Sequence, residues 1–479
     1  MWYYFLGRSD IMHLPNLNEA KKRTKELVTT TEYQSNDYNI GKNKTYFIKT
    51  YGCQMNEHDS ENIKALIENM GYKEVFTMDE ADVVILNTCA IRENAHNKVF
   101  GMIGRIKHLK ETKKDLVSII CGCMVQEEAV ANEIKNKYKW IDLVFGTHNI
   151  HELPELLTKA VEESKQQIEV YSIEGNIVEN MPVKRDSKYK AWINIMYGCD
   201  KFCTYCIVPY TRGKQRSRHP NYILEEVKDL IQKGYQEVTL LGQNVNAYGK
   251  DLDINYDMSN LLEDVAKTGI NRVRFVTSHP WDFTDRMIEI IKDYPNVMPY
   301  IHLPVQSGSN RILKLMGRRY TKESYLELFN KLKEAIPYSS ITTDIIVGFP
   351  GETEEDFEET LDIVKKCQYD SAFTFIFSKR IGTPAEKMED DVGLSVKEER
   401  LARLNELVNE FANLKNQAYK GQIVPVLIEG RSEKGDLLMG YTDTMKLVNV
   451  KGQIADIGKI IDVKITDIKT WSMDGEAVN

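Results

Sequence analysis

Continuously apolar segments alternate with amphipathic ones along residues 45–160. The segments "TYFIKTYG", "ADVVILNT", "LVSIICG" and "WIDLVFG" predict four β-strands, because each is a short run rich in apolar residues. The stretches between them repeat apolar residues at helical spacing, and one predicted helix has Asp59 as its N-cap and stops at Gly71. Apolar strands separated by helices are typical of a parallel sheet with helices on both faces. The pattern therefore predicts an α/β domain over residues 45–160.

The same alternation resumes between residues 189 and 418. Amphipathic segments such as "NYILEEVKDLIQKG" follow six apolar segments that predict strands: "AWINIM", "EVTLLG", "RVRFVT", "PYIHL", "TTDIIVG" and "SAFTFIF". A complete barrel of this type has eight such units. We therefore predict an α/β domain in the form of an incomplete (β/α)6 barrel that is open on one side.

The remaining segments differ from this pattern. Residues 419–479 contain short β segments separated by turn residues, which predict a small antiparallel β-barrel. Residues 161–188 are polar with little periodicity and predict a linker. Residues 1–44 are polar with mixed charge and predict an N-terminal extension with room for one helix.

Composition is ordinary for a globular protein, with 42% hydrophobic and 28% charged residues. No run of eighteen apolar residues occurs, and the first residues lack a basic leading region, so we predict neither a transmembrane helix nor a signal peptide. We expect a cytoplasmic monomer with no membrane partner. The net charge of −8 excludes a uniformly basic surface but is compatible with a local basic stripe that binds RNA. Eight cysteines in such a chain predict metal binding or catalysis and not a disulfide framework.

Three cysteines, Cys199, Cys203 and Cys206, directly follow the first strand of the predicted barrel. Barrel enzymes place their chemistry at this end of the strands, and thiolates are ligands for zinc or iron–sulfur clusters. A 4Fe–4S cluster takes one ligand per iron, so three cysteines leave one iron open to a substrate or cofactor. A zinc site with His219 as the fourth ligand, or three unrelated thiols, are the alternative interpretations.

Three further cysteines, Cys53, Cys89 and Cys123, each stand at the C-terminal end of a predicted strand. Because parallel strands end at one edge of a sheet, we expect these cysteines to converge and hold a second cluster with an open iron. The alternative is that some of them are buried core thiols. Cys121 is interpreted as a neighbour of Cys123 and not as a ligand, and Cys367 as a structural thiol.

The C-x3-C-x2-C spacing, with aromatic Tyr205 before the last cysteine, resembles that of the radical S-adenosylmethionine superfamily. The resemblance implies an incomplete (β/α)6 barrel and a 4Fe–4S cluster held by Cys199, Cys203 and Cys206. In that superfamily the open iron binds S-adenosylmethionine, and electron transfer from the cluster gives a 5′-deoxyadenosyl radical. An electron donor is therefore an expected partner.

The segments "TYGCQMNEHDSE", "NTCAIRENAHNKVFGMIG" and "GCMVQEE" resemble the N-terminal domain of the methylthiotransferase family, and "GYTDTMKLVNV" resembles its C-terminal TRAM domain. The resemblance covers about residues 45–479. It implies that Cys53, Cys89 and Cys123 hold a second 4Fe–4S cluster, which delivers sulfur, and that two S-adenosylmethionine molecules are used per turnover. Cys121 departs from the family pattern, in which the residue two before the third ligand is usually not cysteine.

Within the family, "GCQMN" and "NTCAIRE" are similar to the branch that acts on N(6)-dimethylallyladenosine (isopentenyladenosine) beside the anticodon of tRNA. The expected reaction converts C–H to C–SCH3 at carbon 2 of that base. Two other functions remain open. One is a methylthiotransferase that acts on threonylcarbamoyladenosine in tRNA or on an aspartate of a ribosomal protein; the other is a non-catalytic iron–sulfur or zinc protein that binds RNA.

Several residues at predicted strand ends are candidates for contact with S-adenosylmethionine. Gln243 lies in "GQNVNAYG", whose alternative interpretation is a simple turn. Gln306, Gly348 and Arg380 follow the fourth, fifth and sixth strands, and the missing side chain of Gly348 would allow close approach of a ligand. Tyr205 joins this set through its place in the cysteine motif.

The segment "PYTRGKQRSRHP" is compactly basic, and its cations are expected to contact RNA phosphates: Arg212, Lys214, Arg216 and Arg218. The alternative is that these side chains are solvated or pair with internal carboxylates. In the C-terminal barrel, Tyr441 and Lys446 are candidates for base stacking and phosphate contact, with incidental burial as the alternative.

Overall fold

The structure is a computed structural model that describes residues 12–22, 29–35, 38–90, 93–173, 175–432 and 435–478, with side chains for all of these except 93–97. The chain forms two compact units. The first contains the residues up to Asp186 together with Gly198–Asp200 and Ile207–Arg216, and the second contains the rest. Much of the predicted N-terminal extension, and Ile91 and Arg92 of the second family motif, lie outside the described residues.

The first unit is built around a parallel sheet, as predicted, but the sheet has six strands and not the four that the sequence pattern indicated. The sheet has the order β3-β2-β4-β5-β6-β7, and every neighbouring pair is parallel. Its elements, in chain order, are α1 (Leu17–Ala20), β1 (Thr30–Glu32), β2 (Thr45–Thr50), α2 (Gln54–Asn69), β3 (Lys73–Glu74), β4 (Val83–Thr88), α3 (Glu93–Thr112), β5 (Val117–Gly122), α4 (Glu128–Lys137), β6 (Leu143–Phe145), α5 (Leu153–Glu163), β7 (Gln167–Glu169), β8 (Ile177–Glu179) and α6 (Val208–Thr211).

The central strands are apolar because both of their faces are covered. Val84 and Leu86 of β4 pack into a core with α3 and α4, whereas Val83 and Ile85 pack into a second core with α2 and α5. The sequence pattern missed β3 and β7, which are only two and three residues long. Strand β7 lies within residues 161–188, which we predicted as a linker.

The start of α2 was predicted wrongly. The helix begins at Gln54 with Cys53 as its N-cap, so Asp59 lies inside the helix and is buried. Asp59 instead has a charged partner, described with the site below.

The second unit contains the predicted open barrel. Six parallel strands form two three-stranded sheets, β13-β12-β9 and β14-β15-β16. The elements from here to the C-terminus are β9 (Lys190–Asn194), β10 (Met196–Tyr197), β11 (Arg216–Ser217), α7 (Pro220–Gln232), β12 (Glu237–Leu241), α8 (Met258–Lys267), β13 (Arg272–Phe275), α9 (Asp285–Asp293), β14 (Tyr300–His302), α10 (Asn310–Leu315), α11 (Lys322–Ala335), β15 (Ser340–Val347), α12 (Glu354–Cys367), β16 (Ser371–Ile376), α13 (Leu394–Gln417), β17 (Ile423–Arg431), β18 (Leu438–Thr442), β19 (Leu447–Lys451), β20 (Ile460–Ile468) and β21 (Met473–Ala477).

The C-terminal segment closes into a five-stranded barrel of order β17-β18-β19-β21-β20. The neighbouring pairs are antiparallel as predicted, except that β19 and β21 are parallel. Strand β21, with the sequence "MDGEA", was not predicted, because it lacks a run of apolar residues. Arg272 of β13 joins this barrel to the open one by donating to the backbone carbonyls of Tyr441 and Pro425.

None of the helices that the structure describes combines the length and the apolar character needed to cross a bilayer.

Helix α13 is attached to the open barrel by a buried ion pair. Arg400 Nη1 lies 3.0 Å from Glu352 Oε1, and their exposed fractions are 4% and 5%. Burial raises the pKa of Glu352 to about 7. Arg403 on the same helix pairs with Glu354 and Glu358, but its side chain is 36% exposed. Helix α13 therefore carries one arginine in a buried ion pair and another in exposed ion pairs.

We expect Arg400→Met to lower the free energy of unfolding of this unit by about 3–5 kcal/mol, because it leaves the Glu352 carboxylate buried and unpaired. The matched control Arg403→Met is expected to cost less than about 1 kcal/mol, because water solvates its partners. Urea unfolding followed by circular dichroism, at a pH above the pKa of Glu352, measures both. Equal losses for the two variants would contradict the assignment.

Candidate metal and cofactor centre

The cysteines that are dispersed in the sequence lie at one edge of the parallel sheet. Cys53 follows β2, Cys89 directly follows β4, and Cys123 directly follows β5, and these three strands are neighbours. A side chain at Gly52 would lie within 2.9 Å of Cys89 Sγ, so the loop that carries Cys53 contacts Cys89. Convergence of the three thiols at the carboxyl edge, which we predicted from the strand pattern, is what the fold produces.

Two glycines beside these cysteines have left-handed backbone conformations. Gly52 has a φ of +125° and Gly122 a φ of +94°. A Cβ at Gly122 would lie 2.3 Å from Asn87 Oδ1 and 2.4 Å from the Thr88 carbonyl oxygen. Only glycine combines this φ with such close packing, so both residues turn the chain sharply where the cysteines are presented.

The guanidinium of Arg212 is buried against the third cysteine of this set. Its Nε lies 3.0 Å from Cys123 Sγ, and its Nη2 donates to Asn56 Oδ1 at 2.7 Å and to Asp59 Oδ2 at 2.6 Å. Arg212 and Asp59 are each 4% exposed. A cation held against a sulfur atom in this way stabilises the thiolate form, which is the form that binds metal.

The pKa values of this group follow from its burial. Burial raises the pKa of the Cys123 thiol to about 12, and the nearby charge of Arg212 opposes that rise. Burial also raises the pKa of Asp59, again opposed by Arg212. A coordinated metal deprotonates a thiol outright, so three cysteine ligands with the guanidinium of Arg212 as a counter-charge fit an anionic iron–sulfur cluster. Within the described residues no three His, Cys, Asp or Glu side chains have the geometry for a single metal ion.

The two other thiols lie in apolar cores. Cys121 is 1% exposed and packs with Tyr46 and Leu66, on the face of the sheet covered by α2 and α5. Residues two apart in an extended strand point the same way, but Gly122 breaks the extended backbone between Cys121 and Cys123, and Cys123 has helical angles. Cys367 is buried in the core of the second unit. Both positions are those of structural thiols.

The motif cysteines are divided between the two units. Cys199 belongs to the first unit, where its amide donates to the Gly213 carbonyl. Cys203 and Cys206 belong to the second, where the Cys206 amide donates to the Cys203 carbonyl. Arg318, which the sequence analysis did not single out, is 8% exposed and its Nη1 lies 3.4 Å from Cys203 Sγ. One thiol of each cysteine set is thus paired with a buried guanidinium.

Loops at the C-terminal ends of β12 and β13 carry buried polar atoms with no hydrogen-bond partner among the described residues. These atoms are Gln243 Oε1, Asn244 Oδ1, Asn246 Nδ2 and Oδ1, and Ser278 Oγ. Buried polar atoms in folded proteins are nearly always paired. A polar ligand at this end of the barrel would satisfy them, which fits S-adenosylmethionine and supports the predicted contact by Gln243.

Backbone strain marks the same end of the barrel. Thr277 after β13 and Gln306 after β14 both have a φ of +69°, which is unusual for residues with side chains. Strain of this kind concentrates at functional sites. Gly348 after β15 has a φ of +68°, but a Cβ there would lie 2.3 Å from Lys397 Cγ. Glycine is therefore required at position 348 by the positive φ and by the close packing of Lys397. Contact of Gly348 with a ligand stays a prediction.

The last two candidate contacts also follow strands of the second unit. Tyr205 packs with Phe349 and Phe377. Arg380 follows β16 and is half-buried, and its carbonyl accepts from the Thr383 amide. Contact of either side chain with the cofactor stays a prediction.

The arginines of the basic segment are mostly buried and have internal partners. Arg216 donates to the Gly175 carbonyl, and Arg218 donates to the Asn194 carbonyl and to Glu226. Arg212, through Asp59, and Arg218, through Glu226, match the alternative interpretation of pairing with internal carboxylates, whereas Arg216 donates to backbone carbonyls. Lys214 is half-buried. RNA contact by this segment stays a prediction.

The two candidates in the C-terminal barrel lie where it meets the open barrel. Lys446 Nζ is 3.0 Å from Asp370 Oδ1, and Lys190 Nζ lies 5.6 Å from the centre of the Tyr441 ring. Both residues line one cavity, which is considered below.

Family models match three parts of the chain. The radical SAM superfamily model matches residues 193–364, the Uncharacterized protein family UPF0004 model matches 45–146, and the TRAM domain model matches 417–478. The first match lies within the open barrel and ends before β16, the second covers β2 to β6 of the parallel sheet, and the third covers the closed barrel.

Curated relatives match nearly the whole chain, and each is named tRNA-2-methylthio-N(6)-dimethylallyladenosine synthase. The protein from Staphylococcus epidermidis is 55% identical over 96% of this chain and 91% of its own. Those from Bacillus subtilis and Shouchella clausii are 54% and 56% identical over 97% of this chain and 92% and 90% of their own.

A solved structure shares the fold. It is the radical S-adenosylmethionine methyltransferase TsrM from Kitasatospora setae with cobalamin and a [4Fe-4S] cluster bound, with a TM-score of 0.51 and 14% identity over 71% of this chain and 77% of that one. The curated relatives confirm the resemblance seen in the motifs over 96–97% of the chain. The chain belongs to the methylthiotransferase family of radical S-adenosylmethionine enzymes.

Proposed function

We propose that this enzyme attaches a methylthio group to carbon 2 of N(6)-dimethylallyladenosine beside the anticodon of tRNA. The observation that carries the proposal is 55% identity over 470 residues to a relative named for this product. The arrangement of Cys53, Cys89 and Cys123 at one sheet edge supports it, because sulfur insertion requires a site for sulfur apart from the radical motif.

The enzymes of this family use a 4Fe–4S cluster with S-adenosylmethionine, and we assign that cluster to Cys199, Cys203 and Cys206. We assign a second 4Fe–4S cluster to Cys53, Cys89 and Cys123. When bound, the first cluster and S-adenosylmethionine supply the radical that removes hydrogen, and the second cluster supplies the sulfur. An electron donor is required to reduce the first cluster.

The chain's own residues hold these groups and the base. Arg212 and Arg318 each place a buried positive charge against a cysteine sulfur, and at Cys123 that charge opposes the rise in pKa caused by burial. Gln243, Asn246 and Ser278 provide polar atoms that a bound cofactor would satisfy. The target adenosine has to leave its stack to reach such a site, as bases do for other enzymes that modify them.

Comparison of tRNA nucleosides from cells with and without this gene tests the proposal. Mass spectrometry is expected to show loss of the methylthio group from dimethylallyladenosine, with accumulation of the unthiolated nucleoside. Loss of a methylthio group from threonylcarbamoyladenosine, or from a ribosomal protein, would instead assign the enzyme to another branch.

The two cysteine sets are expected to fail differently. Cys53→Ala should retain reductive cleavage of S-adenosylmethionine but abolish thiolation, because the sulfur-supplying site loses a ligand. Cys199→Ala should abolish both activities. Chromatography of 5′-deoxyadenosine and of tRNA nucleosides measures them in oxygen-free, reconstituted protein. Cys367→Ala, which alters a core thiol, is the control and should retain both, and thiolation by Cys53→Ala would contradict the division of labour.

We expect Arg212→Met to lose the cluster held by Cys123, because the buried thiolate loses its counter-charge. The iron content should fall from about eight to about four atoms per chain. Iron analysis and electron paramagnetic resonance of oxygen-free protein measure the loss, with Arg105→Met, at an exposed pair with Asp79, as the control.

The double variant Arg212→Met, Asp59→Asn separates this effect from unfolding, because it also removes the carboxylate that would be left buried without a partner. We expect it to be folded by circular dichroism and still deficient in iron. A folded double variant with the full iron content would show that Arg212 has no role in retaining the cluster.

A further inference from the structure

A cavity of about 270 Å³ lies in the second unit, where the open barrel meets the closed one. Its lining includes Tyr300 at the start of β14, Phe373 of β16, Tyr441 of β18 and Trp471 in the turn between β20 and β21. Phe373 and Trp471 remain 50% and 57% exposed although they are large and aromatic. Several aromatic side chains around one accessible cavity offer flat faces on which a planar ring can stack.

The same cavity is lined by a buried acceptor that lacks a donor. Asn416 is 4% exposed, and its Nδ2 donates to the carbonyls of Lys469 and Thr470, at 3.2 and 2.9 Å. Because both partners are acceptors, the amide orientation is fixed and Oδ1 is the remaining atom. Among the described residues Oδ1 has no hydrogen-bond partner. Asn416 thus fixes the turn that carries Trp471 and keeps one acceptor for an N–H group of a ligand.

The charges at the cavity argue against a phosphate ligand. Its lysine, Lys446, is paired with Asp370 at 3.0 Å, and the two side chains are 10% and 8% exposed. The positive charge is therefore already neutralised. The cavity thus offers aromatic faces and one unpaired acceptor, and the Lys446–Asp370 pair leaves no net charge. A neutral, planar ring with N–H groups fits this combination.

We propose that this cavity binds one unpaired nucleobase of the tRNA substrate, distinct from the reacting adenosine; the inference rests on the function proposed above. The cavity lies at the amino-terminal ends of the barrel strands, whereas Gln243 and Gln306 lie at their carboxyl-terminal ends. Along β15 the cavity is lined by Ser340 and Thr342, whereas Gln306 pairs with Ile345, so three to five residues, or about 10–17 Å, separate the two places. The bound base acts as an anchor at a distance from the chemistry.

Binding of full-length tRNA that carries dimethylallyladenosine tests the proposal. Trp471→Ala and Phe373→Ala are each expected to raise the dissociation constant about tenfold, because stacking of one base is lost. Trp471→Phe, which keeps an aromatic face, should stay close to the unaltered protein. Phe76→Ala removes an aromatic side chain that is 87% exposed and lies in the first unit, and it is the control.

An abasic scan of the tRNA identifies the anchor. At one unpaired position other than the target, removal of the base should weaken binding to the unaltered protein about tenfold and have no further effect on Trp471→Ala. Unchanged affinity of both alanine variants, or additive losses at every position, would overturn the proposal. If the unaltered enzyme binds this tRNA but does not thiolate it, the proposed function fails, and the affinities of the variants still decide on the cavity.

Discussion

Much of the first unit's site depends on burying a positive charge beside sulfur. A buried guanidinium is costly unless each of its donors meets an acceptor, and Arg212 meets a thiol, an amide oxygen and a carboxylate. That requirement explains why Asp59 lies inside a helix and away from solvent. Arg318 in the second unit solves the same problem with Cys203, the Tyr320 hydroxyl and the Pro304 carbonyl. Each unit thus contains, built from different side chains, a buried arginine whose guanidinium lies against a cysteine sulfur.

The strands and the cysteines at their ends were predictable from the sequence. A strand in the middle of a parallel sheet is buried on both faces, so β4 and β5 had to be mostly apolar. A polar or reactive residue directly after such a strand can only emerge at the sheet edge, which placed Cys89 and Cys123 correctly. The six units of the open barrel followed from the same reasoning.

Partners far apart in the sequence were not predictable. Asp59 has the local signature of an N-cap, and only the position of Arg212, 153 residues later, shows what it does. Arg216 and Arg218 sit in a segment whose composition indicates nucleic acid, yet their burial depends on carbonyls from other segments. Strand β21 forms because the barrel closes around it, and no pattern in "MDGEA" records that closure. The role of Asn416 depends on the carbonyls of the turn at Lys469, so the sequence alone does not reveal it.

The position of Arg212 in the chain has a consequence for biosynthesis. A ribosome adds roughly 5–20 residues per second, so the 153 residues between Asp59 and Arg212 take on the order of 10–30 s to emerge. During that interval helix α2 of the nascent domain carries an aspartate whose counter-ion has not been made. The amino-terminal part of the protein can therefore complete its interior only after translation has passed into the following catalytic segment, which delays maturation of the thiol-rich edge until both parts exist.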